Sequence, residues 1–423
     1  MTFEVVFYLL IAAVVVGVPL YALRVRGKTY AAFVSVVLLL SMPGVIVGEG
    51  RLETWFSADW LPAFRGLALY AVVVAGVHLS HLVRAQMRSR WFRALVSVPG
   101  QVTIAAGAMM IAWLLVWLPL RLVFAALDYE SGLLALAWLD LLPPVLACLS
   151  VVTSTRPVAE VVRVRLGDDG PSTVERAPVE RHRGVEPPPL ETRPLRIVQI
   201  TDPHLGPWQS VRSLRSIVSS LLEHDPDLVL LTGDFLTMES MGTPGALFEA
   251  LEALREREGD CYAIFGNHDH EAPEEVRAGL LRNGIDLLID DARIAETPAG
   301  PVQLIGADHV WHGRAEHLTN LLAAHPRVEG HLRLLMLHDP LGFRDIEPGA
   351  VDLVLSGHTH GGQVGLVSFG LDWTVLSRSA WPDHGLFARG SNRLYVHRGT
   401  GFYGFPLRVG VPGEASLLEL VRD

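Results

Sequence analysis

The hardest constraint on this chain is a split in hydropathy. Long, nearly uncharged apolar runs fill its first 155 residues and then stop. They cover residues 3–23, about 30–48, 66–83, 102–120 and 133–152. A helix needs about 20 predominantly apolar residues to cross a bilayer, so residues 1–155 are expected to form an all-α transmembrane region of about five spans. The fifth run, "LLALAWLDLLPPVLACLSVV", is the weakest because it carries Asp140 and a Pro pair. A re-entrant or interfacial segment is the alternative there. The first run is long, begins with an acidic Glu4 and is followed by further apolar runs, which argues against a cleaved signal peptide.

Charge in the connections orients the spans. Arg24, Arg26 and Lys28 follow the first run, Arg84, Arg88, Arg90 and Arg93 the third, and Arg156, Arg163 and Arg165 the fifth. The other connections mix Glu49, Glu53 and Asp59 with Arg51 and Arg65, and Asp128 and Glu130 with Arg121. Positively charged connections face the cytoplasm. Five spans in a cell membrane then put the carboxy-terminal half in the cytoplasm, and loss of the fifth span would invert this.

Residues 1–155 carry 10 basic and 7 acidic side chains, leaving 25 and 38 of the totals of 35 and 45 for the remainder. So acidic a remainder argues against nucleic acid as a partner, because that binding needs clustered Lys and Arg. Cys148 and Cys261 have no CxxC neighbour, so any metal site must use oxygen and nitrogen ligands. Residues 156–193 read as a linker, since "GDDGPSTVERAPVERHRGVEPPPLETRP" is rich in Pro, Gly and charge. Residues 194–423 read as the second domain.

In that domain short strand-like runs alternate with helical patterns, which predicts a central sheet flanked by helices. Polar residues gather where each apolar run stops. "LRIVQI" ends in Thr201-Asp202-Pro203-His204, "LVLLT" in Gly233-Asp234, and "YAIF" in Gly266-Asn267-His268-Asp269. "LRLLML" ends in His338-Asp339, and "DLVLS" in Gly357-His358-Thr359-His360. Any one ending can be turn chemistry. Five together, at the carboxyl ends of strands where α/β folds bind ligands, point to one metal site. Asp202, His204, Asp234, Asn267, His338, His358 and His360 are too many ligands for one ion. They fit two divalent ions, Mn, Fe or Zn, sharing a carboxylate.

The ordered series D-x-H, G-D, G-N-H-D, H and G-H-T-H-G-G-Q resembles the calcineurin-like metallophosphoesterase superfamily. The closing "YVHRGTGFYGFPLR" is similar to its membrane-associated bacterial branch of YkuE- and YaeI-type phosphoesterases. The resemblance covers about residues 194–423. It implies a four-layer αββα sandwich in which Asp202, His204 and His360 hold one metal, Asn267, His338 and His358 the other, and Asp234 bridges. It also implies that His268 stabilises the transferring phosphoryl group and protonates the leaving oxygen. The expected activity is metal-dependent hydrolysis of a phosphomonoester, phosphodiester or pyrophosphate through a metal-bridging hydroxide. Membrane anchoring makes a lipid or lipid-linked envelope precursor a candidate substrate. A nucleotide phosphodiesterase and a non-catalytic receptor for a phosphorylated ligand are the alternatives.

Two positions depart from the pattern. Thr237 stands where the family often has Asp or Asn to orient the catalytic histidine, and Pro203 fills the middle of D-x-H. Arg398 and His397 are expected to contact substrate phosphate, with a structural ion pair as the alternative for Arg398. His309 and His312 lie in a second histidine-bearing loop, and Trp208, Trp311 and Trp381 are candidates either for a lipid-accepting groove or for packing.

Overall fold

The computed structural model describes residues 2–167, 169–185 and 187–422. The chain forms two compact units, one of Met1–Val152 with Gly404–Val409 and one of Thr153–Tyr403 with Gly410–Asp423.

Among the described residues, five helical segments in the amino-terminal region are long and apolar enough to cross a membrane: Phe3–Val25, Lys28–Gly50, Leu61–His81, Arg90–Ala126 and Glu130–Thr155. Small residues let two of them meet backbone to backbone. A Cβ on Gly44 would lie 2.0 Å from the carbonyl oxygen of Gly107, and one on Gly107 would lie 2.1 Å from that of Ser41. Such close approach drives helix association where lipid removes the hydrophobic incentive. The last segment breaks between Leu139 and Leu142. The break is satisfied internally: Arg121 donates to Leu136 O at 3.2 Å and Trp55 Nε1 to Ala137 O at 2.8 Å. Buried Asp140 accepts from Arg121 at 2.5 Å and Arg51 at 3.2 Å.

The second unit is an α/β sandwich of two seven-stranded sheets among the described residues. One sheet runs β3 (Glu180–His182), β1 (Val158–Leu166), β14 (Glu414–Arg422), β4 (Leu195–Ile200), β5 (Leu228–Leu231), β6 (Cys261–Ala263) and β7 (Asp286–Leu287). The other runs β2 (Glu175–Arg176), β12 (Gly385–Arg389), β13 (Asn392–Val396), β11 (Leu353–Ser356), β10 (Leu332–Met336), β9 (Val302–Gly306) and β8 (Asp291–Ala295). Their facing sides build the core. Leu334 and Met336 of β10 point inward with Ile197, Leu230, Leu355 and Leu418. Leu335 turns outward onto Leu318 and Leu321 of the helix Arg314–Ala324, as the period of two requires.

The expected linker is instead part of this sandwich. β1 pairs parallel with β14 along its whole length, from Val158 opposite Glu414 to Leu166 opposite Arg422. β3 pairs with β1, and β2 with β12. Val162 and Val164 join the core, while the strand's charges are paired: Arg163 with Glu419 at 2.9 Å and Glu160 with Arg398 at 2.7 Å. Those partners lie more than 230 positions away, so local composition conceals the strand.

Candidate functional site

The site is assembled where parallel strands stop. β4, β5 and β6 run parallel in one sheet, and β10 and β11 run parallel in the other. Their carboxyl ends carry Asp202 and His204, Asp234, Asn267, His338, and His358 and His360, and all of these but Asn267 fall into two close groups. The ligand atoms of Asp202, His204 and His360 all lie within 4.8 Å of one another, and so do those of Asp234, His338 and His358. Asp234 joins the two groups, its Oδ2 standing 3.5 Å from His204 Nε2 and 3.2 Å from His338 Nε2. His358 Nδ1 is 3.3 Å from His338 Nε2, and His360 Nε2 is 3.7 Å from Asp202 Oδ1.

This arrangement costs backbone energy. Asp202, His204, Asp234, His358 and His360 all have positive φ, between 43° and 68°. Non-glycine residues seldom sit there, and such strain clusters at functional sites. Close approach adds a second constraint: a Cβ on Gly357 would lie 2.2 Å from Asp202 Oδ2, and one on Gly266 would lie 2.3 Å from Asp234 Oδ1.

The donor set fits metal ions. Buried His204 Nε2 and Asn267 Oδ1 lack a hydrogen-bond partner, a state that is expensive unless another group satisfies them. Burial pushes His204 down to about 3 and, with help from the His338 charge, His358 down to about 4. Both are therefore neutral at physiological pH, as ligands must be. Burial, opposed by His338 and reinforced by Asp234, pushes Asp202 up to about 6. Burial also works against a charged His338, yet the Asp234 carboxylate beside it raises that imidazole to about 10. That proton must leave when a cation is bound. Outer partners aim the ligands: His338 Nδ1 is 2.7 Å from Thr232 O, and His204 Nδ1 is 3.3 Å from Leu236 O. Each contact leaves Nε2 to face the site.

A family model described as calcineurin-like phosphoesterase matches residues 195–362. Phosphodiesterase YaeI of Escherichia coli is 30% identical over 234 residues, covering 54% of this chain and 83% of that protein. The metallophosphoesterase YkoQ of Bacillus subtilis is 30% identical over 238 residues, covering 53% and 83%. The chain belongs to the calcineurin-like phosphoesterase family. It is a hydrolase of phosphoester bonds. A transmembrane protein with a metallophosphoesterase domain from Danio rerio is 32% identical over 251 residues, 56% of this chain and 55% of that protein. Together with the five apolar helices, it marks this phosphoesterase as membrane-associated.

His268 stands beside the site with its side chain 28% exposed. Its backbone N–H donates to Asp234 Oδ1 at 2.8 Å, and its Nδ1 lies 2.7 Å from Glu271 Oε1. Thr237 does not orient it, because the Thr237 hydroxyl donates to Leu205 O at 2.6 Å. Glu271, three residues on in the same short turn, fills that place. Its H-x-x-E spacing was visible in the sequence without a reason to single it out. Two further residues emerge only from the fold. Asp269 accepts the backbone N–H groups of Asp234, Phe235 and Gly266 at 2.7–2.9 Å, which ties the β5 and β6 endings together. Tyr403 stacks on His204 with ring centres 5.3 Å apart and meets His268 edge-on at 5.1 Å.

Arg398 and His397 are not placed to contact substrate. Both are buried. The Arg398 guanidinium faces Glu160 at 2.7 Å and Glu414 at 3.5 Å, and His397 Nδ1 accepts the N–H of Gly399 at 3.0 Å. This is the ion-pair alternative, and it arises because β1 brings Glu160 beneath the closing segment. The stem of Arg398 passes beside Gly361, where a Cβ would lie 3.2 Å from Arg398 Cγ. Arg398 therefore supports the His358–His360 turn from behind. His309 lies behind His338, with rings 6.4 Å apart, and packs on Trp311. Trp208 packs against Phe402 and is buried.

Proposed function

We propose that this chain is a membrane-embedded, dimetal phosphoesterase that hydrolyses its substrate by direct attack of water on phosphorus. The single observation that carries the reading is the placement of Asp234 Oδ2 between His204 and His338, each the Nε2 of a separate ligand group. Asp202, His204 and His360 would hold one divalent cation, Asn267, His338 and His358 the other, and Asp234 both. The nitrogen and oxygen donors suit Mn, Fe or Zn. Bound cations supply charge neutralisation at the phosphoryl oxygens and lower the pKa of a water.

The remaining work falls to the protein. The water gives up a proton to solvent as its oxygen bonds to phosphorus, the P–O bond to the leaving group breaks, and the departing oxygen takes a proton from His268, which regains one from solvent. Glu271 at Nδ1 fixes the orientation of that imidazole. Tyr403, packed on His204 and His268, restricts both rings. Asp269 keeps the Asp234 and His268 turns in register. The catalytic unit faces the cytoplasm, by the charge distribution between the apolar helices.

Full-length protein purified in detergent and loaded with Mn²⁺ should hydrolyse bis(p-nitrophenyl) phosphate. Asp234→Asn and His268→Ala should each lower turnover at least a hundredfold. Only Asp234→Asn should also lose bound metal, as measured by elemental analysis. Equal turnover by wild type and both variants would sink the assignment.

A further inference from the structure

The segment that follows the His358–His360 block is turned inside out. Residues 364–381 ("VGLVSFGLDWTVLSRSAW") contain two charged side chains, Asp372 and Arg378, yet their large apolar groups face solvent. Leu366, Phe369, Leu371, Trp373, Val375 and Trp381 are all exposed, Phe369 to 76%. Val367 and Thr374 are the buried side chains at the base, the Thr374 hydroxyl donating to Asp383 Oδ2 at 2.6 Å, while Ser368, Ser377 and Ser379 are exposed beside the apolar groups.

This is a built element. Leu366 N–H donates to Trp373 O at 2.8 Å and Val375 N–H to Val364 O at 3.0 Å, which closes a short hairpin. Gly365 bridges to Thr374, and Gly370 turns the tip with φ 79°. The hairpin is rooted in the site. A Cβ on Gly362 would meet Leu376, Thr374 and Val375 at 3.1–3.4 Å. Asp383, which holds Thr374 and Ser377, offers its carbonyl to the hydroxyl of Thr359 at 2.6 Å. Thr359 separates His358 from His360.

We propose that this hairpin seats in the surface layer of a phospholipid bilayer and presents a lipid phosphoester to the adjacent metal site. The substrate part rests on the phosphoesterase reading above. Clustered exposed apolar groups on a folded unit mark an interaction surface, and three observations choose lipid as the occupant. Two tryptophans and a phenylalanine are the residues favoured at the interface between headgroups and acyl chains. Arg378 and Asp372 cancel, so the patch carries no net charge that would repel anionic headgroups. Finally, the membrane-type helix ends at Thr155 and β1 begins at Val158. Only two residues separate those ends, so the chain itself tethers the hairpin's unit to a membrane-type segment.

The test uses the full chain carrying Cys148→Ala, since Cys261 is buried. Phe369→Cys, and separately Leu281→Cys on an exposed helix of the same unit, are labelled with an environment-sensitive nitrobenzoxadiazole. Both proteins are then reconstituted into phosphatidylcholine–phosphatidylglycerol vesicles with brominated acyl chains. The label at 369 should be quenched at least twice as strongly as that at 281. The double variant Phe369→Glu, Trp373→Glu should lose tenfold or more of the hydrolysis of phosphatidyl-p-nitrophenol in vesicles. Its turnover of soluble bis(p-nitrophenyl) phosphate should stay within twofold. Equal quenching at 369 and 281 overturns the bilayer proposal, as does shielding at 369 only after a protein partner is added. Equal loss on both substrates overturns the role in lipid presentation. A wild type inactive on both substrates defeats the phosphoesterase reading, while quenching still decides where the hairpin sits.

Discussion

A metal ligand does its work only if a second atom holds it, and here those second atoms separate the residues by role. His268 is held by Glu271, with no ligand atom of its own in either metal group. Glu271→Gln should therefore lower kcat about 10- to 100-fold, the usual effect of an outer partner, while metal content measured by elemental analysis stays at the wild-type level. Loss of metal in this variant would reassign Glu271 to the ligand shell. Arg398 behaves in the opposite way. Removing one partner of a buried ion pair costs about 3–5 kcal/mol, so Arg398→Ala should destabilise the catalytic unit by that order. KM for a soluble aryl phosphodiester should be unchanged in the molecules that remain folded. A raised KM with unchanged stability would restore the substrate-contact role. The proposed ligands could be nominated from the sequence because their residue types are chemically specific and each follows an apolar strand. Glu271, Asp269 and Tyr403 were not, because Glu, Asp and Tyr near a turn have many uses until the fold shows what they touch.

At the scale of elements, parallel strands explain most of what was readable. Their carboxyl ends must share one edge of a sheet, so a list of strand endings was already a list of neighbours. β1 escaped because its partner strand lies at the far end of the chain. It follows that a fragment beginning at residue 194 lacks three strands, leaves β14 as an open edge and removes Val162 and Val164 from the core. Expressed alone, it should aggregate, whereas a fragment beginning at residue 156 should be recovered soluble and monomeric by gel filtration. The same strand carries half of a buried charge cluster. Burial disfavours ionised Glu414 and Glu160, yet the nearby His397, Arg398 and Arg181 hold Glu414 well below its usual range, and Arg398 and Arg181 lower Glu160. Both folded-state values lie below the unfolded value near 4.3. Their contribution to stability is thus present above about pH 4.3 and is lost as pH falls through the folded values. Denaturant titrations at pH 7, 5, 4 and 3 should show stability falling below pH 4.3. Glu414→Gln should start lower at pH 7 and fall less steeply.

For the whole molecule, the open quantity is the side of the membrane on which the chemistry takes place, and parity decides it. The connections after the first and third apolar helices hold Arg24, Arg26 and Lys28, and Arg84, Arg88, Arg90 and Arg93, with no acidic residue between them. Arg163 now counts for less as a topological signal, since it is paired with Glu419 inside the sandwich. The first two basic connections carry the orientation by themselves. The fifth segment then determines whether the sandwich lies on their side, and its break at Asp140 is the reason to doubt that it crosses. The break does not leave polar backbone facing lipid, because Arg121 and Trp55 take up the carbonyl groups of Leu136 and Ala137. Irregular backbone at membrane depth is tolerated when protein satisfies it in this way. With the fifth segment crossing, the proposed orientation has the sandwich on the side of the basic connections, in the cytoplasm. In the Cys148→Ala background, a membrane-impermeant maleimide added to intact cells should label Ser57→Cys, between the second and third apolar helices. It should reach Leu281→Cys only after the cells are opened. The reverse pattern would place catalysis outside. Labelling of both on intact cells would show that the chain occurs in two orientations.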